Sequence, residues 1–269
     1  MLKYILLSAL AALALTENST NIPTHMEGVN RPRVVGGNIV TPNSWPWQAS
    51  ILVKSGLSYF HNCGGVLIKR GWVLTAASCV DPSQSLLVIL GEYTLSNFEG
   101  TEQIMFVSRV IRHPLWNGNL ASGNDIALLQ LTTLATLNSA VQLANLPPAG
   151  QILPNNYGCY ITGWGSTYTG GLVSNVLRQA YLPIVDYATC SSLSWWGAVA
   201  NTNMICAGGS TYSACNGDSG GPLNCAVGGT YYVHGVTSFI SSAGCNTIRK
   251  PTGFTRVSAF TSWINGYAV

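Results

Sequence analysis

The sequence predicts an all-β fold: two packed antiparallel β-barrels followed by a C-terminal α-helix. Three observations carry this. Only 8% of the 269 residues are charged, against ~25% in ordinary soluble proteins, and 29 are glycine. Aromatic and β-branched residues are frequent, which suits strands, while glycine suits tight turns. Short apolar runs alternate with turns, and this pattern restarts after Pro147-Pro148.

The elements follow in order. Lys3, the apolar run Ile5 to Leu15 and the small residues Ala12-Leu13-Ala14 read as a secretory signal over residues 1–16. The run is shorter than the ~20 residues that span a bilayer, and no later stretch reaches that length. Residues 17–33 are polar and contain proline, as in a linker or pro-segment, and Asn18-Ser19-Thr20 is a glycosylation sequon. The ordered domain is expected over 34–269. Its first barrel, about 34–145, takes the runs Ala49 to Val53, Gly65 to Ile68, Leu86 to Leu90, Ile104 to Ile111 and Ile126 to Leu131. The second, about 146–257, takes Gly158 to Gly163, Val176 to Ile184, Tyr231 to Ser238 and Gly253 to Val257. Helical spacing over about 258–267 predicts the closing helix, with Ser258 as its cap.

Composition also excludes partners. Net charge is +3 with no Lys/Arg block, so nucleic acid has no electrostatic footprint to meet. The eight cysteines of a secreted chain imply disulfides, but spacing alone does not choose among about a hundred pairings. No pair has C-x-x-C spacing, which disfavours a zinc site.

Four blocks carry chemistry. Arg33-Val34-Val35-Gly36-Gly37 opens the domain, and Thr75-Ala76-Ala77-Ser78-Cys79 lies in its first half. Asn124-Asp125-Ile126-Ala127-Leu128-Leu129 follows, then Gly217-Asp218-Ser219-Gly220-Gly221-Pro222. In this order they resemble the chymotrypsin-like serine proteases, from Val34 to the end. The stretches Pro42 to Gln48, Ile161 to Gly165, Leu153 to Asn156 and Lys250-Pro251-Thr252 resemble the pancreatic elastases, type 1 in particular.

The resemblance implies two six-stranded barrels and the disulfides Cys63–Cys79, Cys159–Cys225, Cys190–Cys206 and Cys215–Cys245. It makes Ser219 the nucleophile and the N–H groups of Gly217 and Ser219 the oxyanion hole. Asp125 becomes the carboxylate that orients the base. Cleavage after Arg33 by a trypsin-like protease would free an amino group at Val34 to pair with Asp218. His61 would either hold Asp218 in the zymogen or serve as a satisfied structural histidine.

Ser78 breaks the pattern, because the family places its general-base histidine just before that cysteine. A serine hydroxyl is not a base at neutral pH, and its short side chain is not expected to reach Ser219. Asp125, deprived of imidazole, is expected to take hydrogen bonds from water, Ser78 or backbone donors. His25, in the pro-segment, does not replace the base, nor do His113 and His234, at positions the family does not use for catalysis.

Ser213 at the pocket base, with Ser238, Ile240 and Thr252 on the walls, implies a small aliphatic residue before the scissile bond. Gly253, where a valine is expected, is read as loosening that wall. Glu92, Glu99 and Glu102, with backbone carbonyls of Thr94 and Asn97, resemble the family's calcium loop.

Three readings follow. The chain is a secreted, monomeric elastase-like protease homologue with impaired turnover; or a non-catalytic binding protein or inhibitor decoy; or an active elastase in which Ser78 is not representative. Its partners would be peptide or protein substrates and macromolecular protease inhibitors, without nucleic acid or membrane.

Overall fold

A computed structural model describes residues 37–269. The expected signal segment, the pro-segment with Asn18 and His25, and the activation residues Arg33 and Val34 lie outside the described residues.

Two closed six-stranded barrels form, as the sequence predicts. The first consists of β2 (Gln48–Ser55), β3 (Ser58–Lys69), β4 (Trp72–Thr75), β5 (Leu86–Leu90), β6 (Gln103–Arg112) and β7 (Ala127–Leu131). The second consists of β8 (Gly158–Gly163), β9 (Arg178–Val185), β10 (Met204–Ala207), β11 (Pro222–Val227), β12 (Thr230–Phe239) and β13 (Thr252–Arg256). Every pairing is antiparallel, and each barrel closes through one further pair, β2 with β5 and β8 with β9.

Burial alternates along β5, whereas strands such as β4 are buried on both faces. In β5, Leu86, Val88 and Leu90 point into the barrel while Leu87 and Ile89 face outward. Ile51, Leu67, Leu74, Val88 and Leu128 fill the first core. Ile161, Leu182, Leu223 and Phe254 fill the second. Between the barrels runs a buried polar seam. Thr162 Oγ1 donates to Gln48 Oε1 at 2.7 Å, Asn224 Nδ2 donates to Thr162 Oγ1 at 3.2 Å, and Trp47 Nε1 donates to Asn224 Oδ1 at 2.8 Å. Each group supplies the partner that burial would otherwise remove.

Both ends of the described chain cross to the other barrel. The edge strand β1 (Asn38–Ile39) precedes the first barrel in sequence but pairs with β9 of the second. A short helix, α1 (Tyr187–Cys190), follows β9 and is capped by the Asp186 side chain, which accepts from Thr189 N at 2.7 Å. The C-terminal helix α2 (Thr261–Tyr267) follows the second barrel and places Phe260, Ile264 and Ala268 in the first barrel's core cluster.

Ser258 is not the cap of α2. It sits in a preceding 3-10 turn, Val257–Ala259, and its Oγ donates to Gln151 O at 2.6 Å and accepts from Arg256 Nη1 at 2.9 Å. The first helical position falls three residues later, and Phe260 at the N-cap offers no side-chain acceptor.

All four expected disulfides are present, Cys63–Cys79, Cys159–Cys225, Cys190–Cys206 and Cys215–Cys245, and no cysteine is free among the described residues.

Candidate active site

The site forms where loops of the two barrels meet. Ser78 sits on a 3-10 turn, Ala77–Cys79, just after β4. Asp125 lies two residues before β7, the strand paired with β4, so the two residues face each other. Asp125 is only 1% exposed. Its Oδ1 accepts from Ser78 N at 2.7 Å, and its Oδ2 accepts from Ser78 Oγ at 2.9 Å and Ser238 Oγ at 2.6 Å. Its backbone carbonyl accepts from Thr255 Oγ1 at 2.7 Å. Burial pushes the carboxyl above its usual range, while the Ser238 and Ser78 hydrogen bonds pull it back. Of the expected replacement donors, Ser78 serves through both hydroxyl and backbone, and Ser238 joins it as a donor the sequence did not point to. Thr255 carries no sequence signal for this contact, since only the packing of the second barrel on the first brings β13 to Asp125.

Ser219 approaches from the second barrel on the turn before β11. Its carbonyl accepts from Gly64 N at 2.8 Å, tying the turn to β3. Its Oγ has no hydrogen-bond partner among the described residues, and the N–H groups of Gly217 and Ser219 have no acceptor there either. Gly217 adopts φ of +99°, which favours glycine, and a Cβ there would stand 2.9 Å from Val173 Cγ1. The turn therefore presents two free donors and one hydroxyl, an arrangement suited to holding a carbonyl oxygen as negative charge develops on it.

Asp218 points the other way, into the protein. It is fully buried, and its carboxylate accepts from Gly165 N at 2.8 Å and Cys215 N at 2.9 Å. A Cβ on Gly165 would lie 2.2 Å from that carboxylate, so glycine is required for the approach. Burial raises the Asp218 pKa to about 6, and the two N–H groups only partly offset it.

His61 does not contact Asp218. Its Nδ1 lies 2.8 Å from Ser50 Oγ and its Nε2 lies 3.1 Å from Gly217 O, with the ring edge-on to Trp164. Burial lowers its pKa to about 4, offset in part by the Gly217 carbonyl. With both ring nitrogens engaged, it is a satisfied structural histidine that braces the turn at Gly217. His113 packs against Phe260 and Trp263, and His234 is buried in β12. None of these three histidines hydrogen-bonds Ser219 or Asp125.

Ser213, Thr252 and Ile240 are arranged around the Ala214-Cys215 segment. Ser213 is fully buried, and its Oγ donates to Ala214 O at 2.9 Å. Ala214 N donates to Thr252 Oγ1 at 2.9 Å, which links the base to one wall. Ile240 packs against the Cys215–Cys245 disulfide. Gly253 does not loosen this wall. The Phe239 ring fills the space a side chain would take, 2.3 Å from the position of an added Cβ, and stacks edge-on against Trp196.

On the loop after β5, the carboxylates of Glu92, Glu99 and Glu102 lie within 4.8 Å of one another. Burial, then Glu102 and Glu99, push Glu92 up to about 7. Thr94 and Asn97 flank this cluster, although Thr94 O already accepts from Asn97 N at 3.4 Å within the turn.

The trypsin family profile matches residues 34–264. The chain belongs to the trypsin family. Among its relatives, it is 59% identical over 235 residues to chymotrypsin-like elastase family member 1 of Bos taurus, covering 87% of this chain and 88% of that protein. The Homo sapiens protein of the same name is 57% identical over 235 residues, covering 87% and 91%. Proproteinase E of Bos taurus is 55% identical over 237 residues, covering 87% and 94%. Among the described residues, no helix is long and apolar enough to cross a membrane.

Proposed function

We propose that this chain is a secreted elastase-like serine protease homologue, made as a zymogen and opened after Arg33 by a trypsin-like protease. It grips peptides that carry a small aliphatic residue before the scissile bond and cuts them very poorly. The observation that carries this reading is Ser78, which spends its hydroxyl and its N–H on Asp125 and leaves Ser219 without a base.

In acyl transfer, the attacking hydroxyl must lose a proton as it bonds to the carbonyl carbon, and the leaving amine must gain one. Ser219 and its two free N–H groups supply the nucleophile and the oxyanion stabilisation. No described group is placed to carry the proton. In serine proteases, losing the base lowers turnover by about 10⁶ and leaves about 10³–10⁴ over the reaction in water.

The preserved pocket supports binding as the stronger of the two capacities. Ile240 and Thr252 narrow it, which favours alanine or valine over aromatic or basic residues. A monomer meeting peptide substrates and macromolecular protease inhibitors fits this arrangement.

The Glu92, Glu99 and Glu102 carboxylates suit a structural calcium ion. They offer hard oxygen donors, and a cation would relieve the crowding that raises Glu92. Such an ion would stiffen the loop after β5.

The test uses the trypsin-activated chain. Binding of a macromolecular elastase inhibitor, together with small-residue peptide hydrolysis at least 10³-fold below an active elastase, supports the reading. Hydrolysis at the rate of an active elastase, or no inhibitor binding, overturns it.

A further inference from the structure

Asn-Gly occurs three times in the chain, at Asn117-Gly118, Asn216-Gly217 and Asn265-Gly266. The pair carries a chemistry of its own. The glycine nitrogen can attack the side-chain carbonyl carbon of the asparagine and close a five-membered ring, because glycine has no Cβ to shield the approach. The fold decides which of the three pairs is at liberty to react.

Two are restrained. Asn117 has both ends of its amide engaged, since Oδ1 accepts from Asn119 N at 3.0 Å and Nδ2 donates to Ser122 Oγ at 3.3 Å. Asn265 lies inside α2, where each N–H runs along the helix axis while the side chains point outward. Asn216 differs from both. It is exposed, and its side-chain amide has no hydrogen-bond partner among the described residues. The Gly217 N–H beside it has no acceptor there either.

The backbone around Asn216 favours the attack. Asn216 O accepts from Ser166 N at 2.8 Å and from Ser166 Oγ at 3.3 Å. Two donors on this carbonyl draw electron density out of the adjoining Gly217 nitrogen and make its proton easier to lose. The same polarisation strengthens that N–H as a donor to a carbonyl oxygen. The turn itself is held, with Gly217 O 3.1 Å from His61 Nε2, so the movement falls to the unrestrained Asn216 side chain.

We infer that Asn216-Gly217 is a self-modification site that disables the oxyanion turn. The Gly217 nitrogen bonds to Asn216 Cγ, the Cγ–Nδ2 bond breaks, and ammonia leaves with the proton that Gly217 gives up. The succinimide so formed has no N–H at position 217. Water then opens the ring. Opening at Cγ restores the main chain with an aspartate at 216. Opening at the main-chain carbonyl carbon leaves an isoaspartate, with the backbone running through Cβ and Cγ. The succinimide lacks the donor, and both opened forms set a carboxylate beside the place where a carbonyl oxygen is held. Solvent water is the only co-reactant. The modification is independent of the peptide-gripping reading above; its effect on ligand affinity rests on that reading.

The experiment ages the trypsin-activated chain in mildly alkaline buffer, and peptide mapping by mass spectrometry follows each Asn-Gly pair. Conversion at Asn216 is expected at least ~10-fold faster than at Asn117 or Asn265. In concentrated urea the three should convert at similar rates, because unfolding removes the restraints on the other two. The opened forms carry one more negative charge and separate by ion exchange. That fraction should bind a macromolecular elastase inhibitor at least ~10-fold more weakly than unconverted chain. Asn216→Gln, whose longer side chain would have to close a larger ring, should keep its own fresh affinity over the same interval.

Conversion at Asn216 no faster than at Asn117 and Asn265 would overturn the inference. So would full affinity in chain converted at Asn216, or an equal loss of affinity in aged Asn216→Gln. An inhibitor that fails to bind even the fresh chain would overturn the gripping reading instead, while the conversion rates still decide the modification.

Discussion

Ser78 holds both oxygens of Asp125, donating its backbone N–H to Oδ1 at 2.7 Å and its hydroxyl to Oδ2 at 2.9 Å. The carboxylate that should orient an imidazole is instead closed off by the residue that replaces it. Ser78 itself is exposed to solvent. A longer side chain at this position therefore has room to project outward.

Restoring the imidazole tests this directly. Ser78→His is expected to raise kcat/KM of the activated chain on small-residue peptide substrates by at least ~10³. The gain should vanish when Ser219→Ala is added. A gain below about tenfold would place a second defect elsewhere in the site.

The two serines on Asp125 should differ in their weight for stability. Ser238 is buried, so Ser238→Ala removes a donor at 2.6 Å that water has no easy path to replace. Hydrogen bonds to charged groups contribute about 1.5–3 kcal/mol, and a loss in that range is expected. Ser78→Ala keeps the backbone donor and opens the hydroxyl position to solvent, so it should cost under about 1 kcal/mol. Urea unfolding of both variants decides the ranking, and a larger loss for Ser78→Ala would refute it.

Gly253→Val should push the Phe239 ring out of its slot, because even a Cβ would stand 2.3 Å from the ring. Overpacking of this kind costs about 1–3 kcal/mol. Phe239 also joins Ser238 to Ile240, so inhibitor affinity should fall together with stability. Unchanged affinity and stability would show that the slot yields freely.

Acid should weaken the fold through His234. It is buried, and burial lowers its pKa from 6.5 to about 4. Above pH 6.5 the residue is neutral both folded and unfolded. As the pH falls from 6.5 to about 4, the unfolded chain takes up a proton that the folded chain refuses, so stability drops. Between pH 7.5 and 4.5 the parent should lose more stability than His234→Gln, by denaturant titration at each pH. Equal losses would remove His234 from the acid response.

Calcium, on the proposed loop, should bind more weakly in acid. Glu92 has its pKa raised to about 7, so a falling pH protonates it and removes a ligand, while binding at pH 7 releases part of a proton. Calorimetry in two buffers of different ionisation enthalpy measures that release. Proton release that does not decline between pH 6 and pH 8 would count against Glu92 as a ligand.

Much of this molecule is legible in its residues, and the exceptions have physical reasons. The runs from Ala49 to Val53 and from Leu86 to Leu90 announce β2 and β5 because a short apolar run bounded by turns is a local signal. β4 and β10 have four residues each and β1 has two, too short to show a period. The block around Ser219 and the cysteine pairs are legible through family likeness, as is the choice of Ser238 as a cleft residue. The Ser238 bond to Asp125 is not, since 113 residues separate the partners. Gly253 reads in sequence as missing bulk, but Phe239, fourteen positions earlier, supplies that bulk through strand pairing. Ser258 reads as a helix cap because the 3-10 turn ahead of α2 mimics a helix start.

The crossing of the two chain ends has a consequence for how the polypeptide comes apart and goes together. β1 belongs to the second barrel's sheet and α2 to the first barrel's core. Each barrel closes on its own continuous stretch of chain, yet each is completed by a piece from outside that stretch. During synthesis, β1 emerges about 140 residues before β9, its strand partner among the described residues, so that pairing waits while the first barrel is made. α2 arrives last of all and covers a surface that has stood open since the first barrel formed. The barrels are thus clasped end to end, and a cut between them at residues 145 and 146 would leave each half lacking a piece carried by the other.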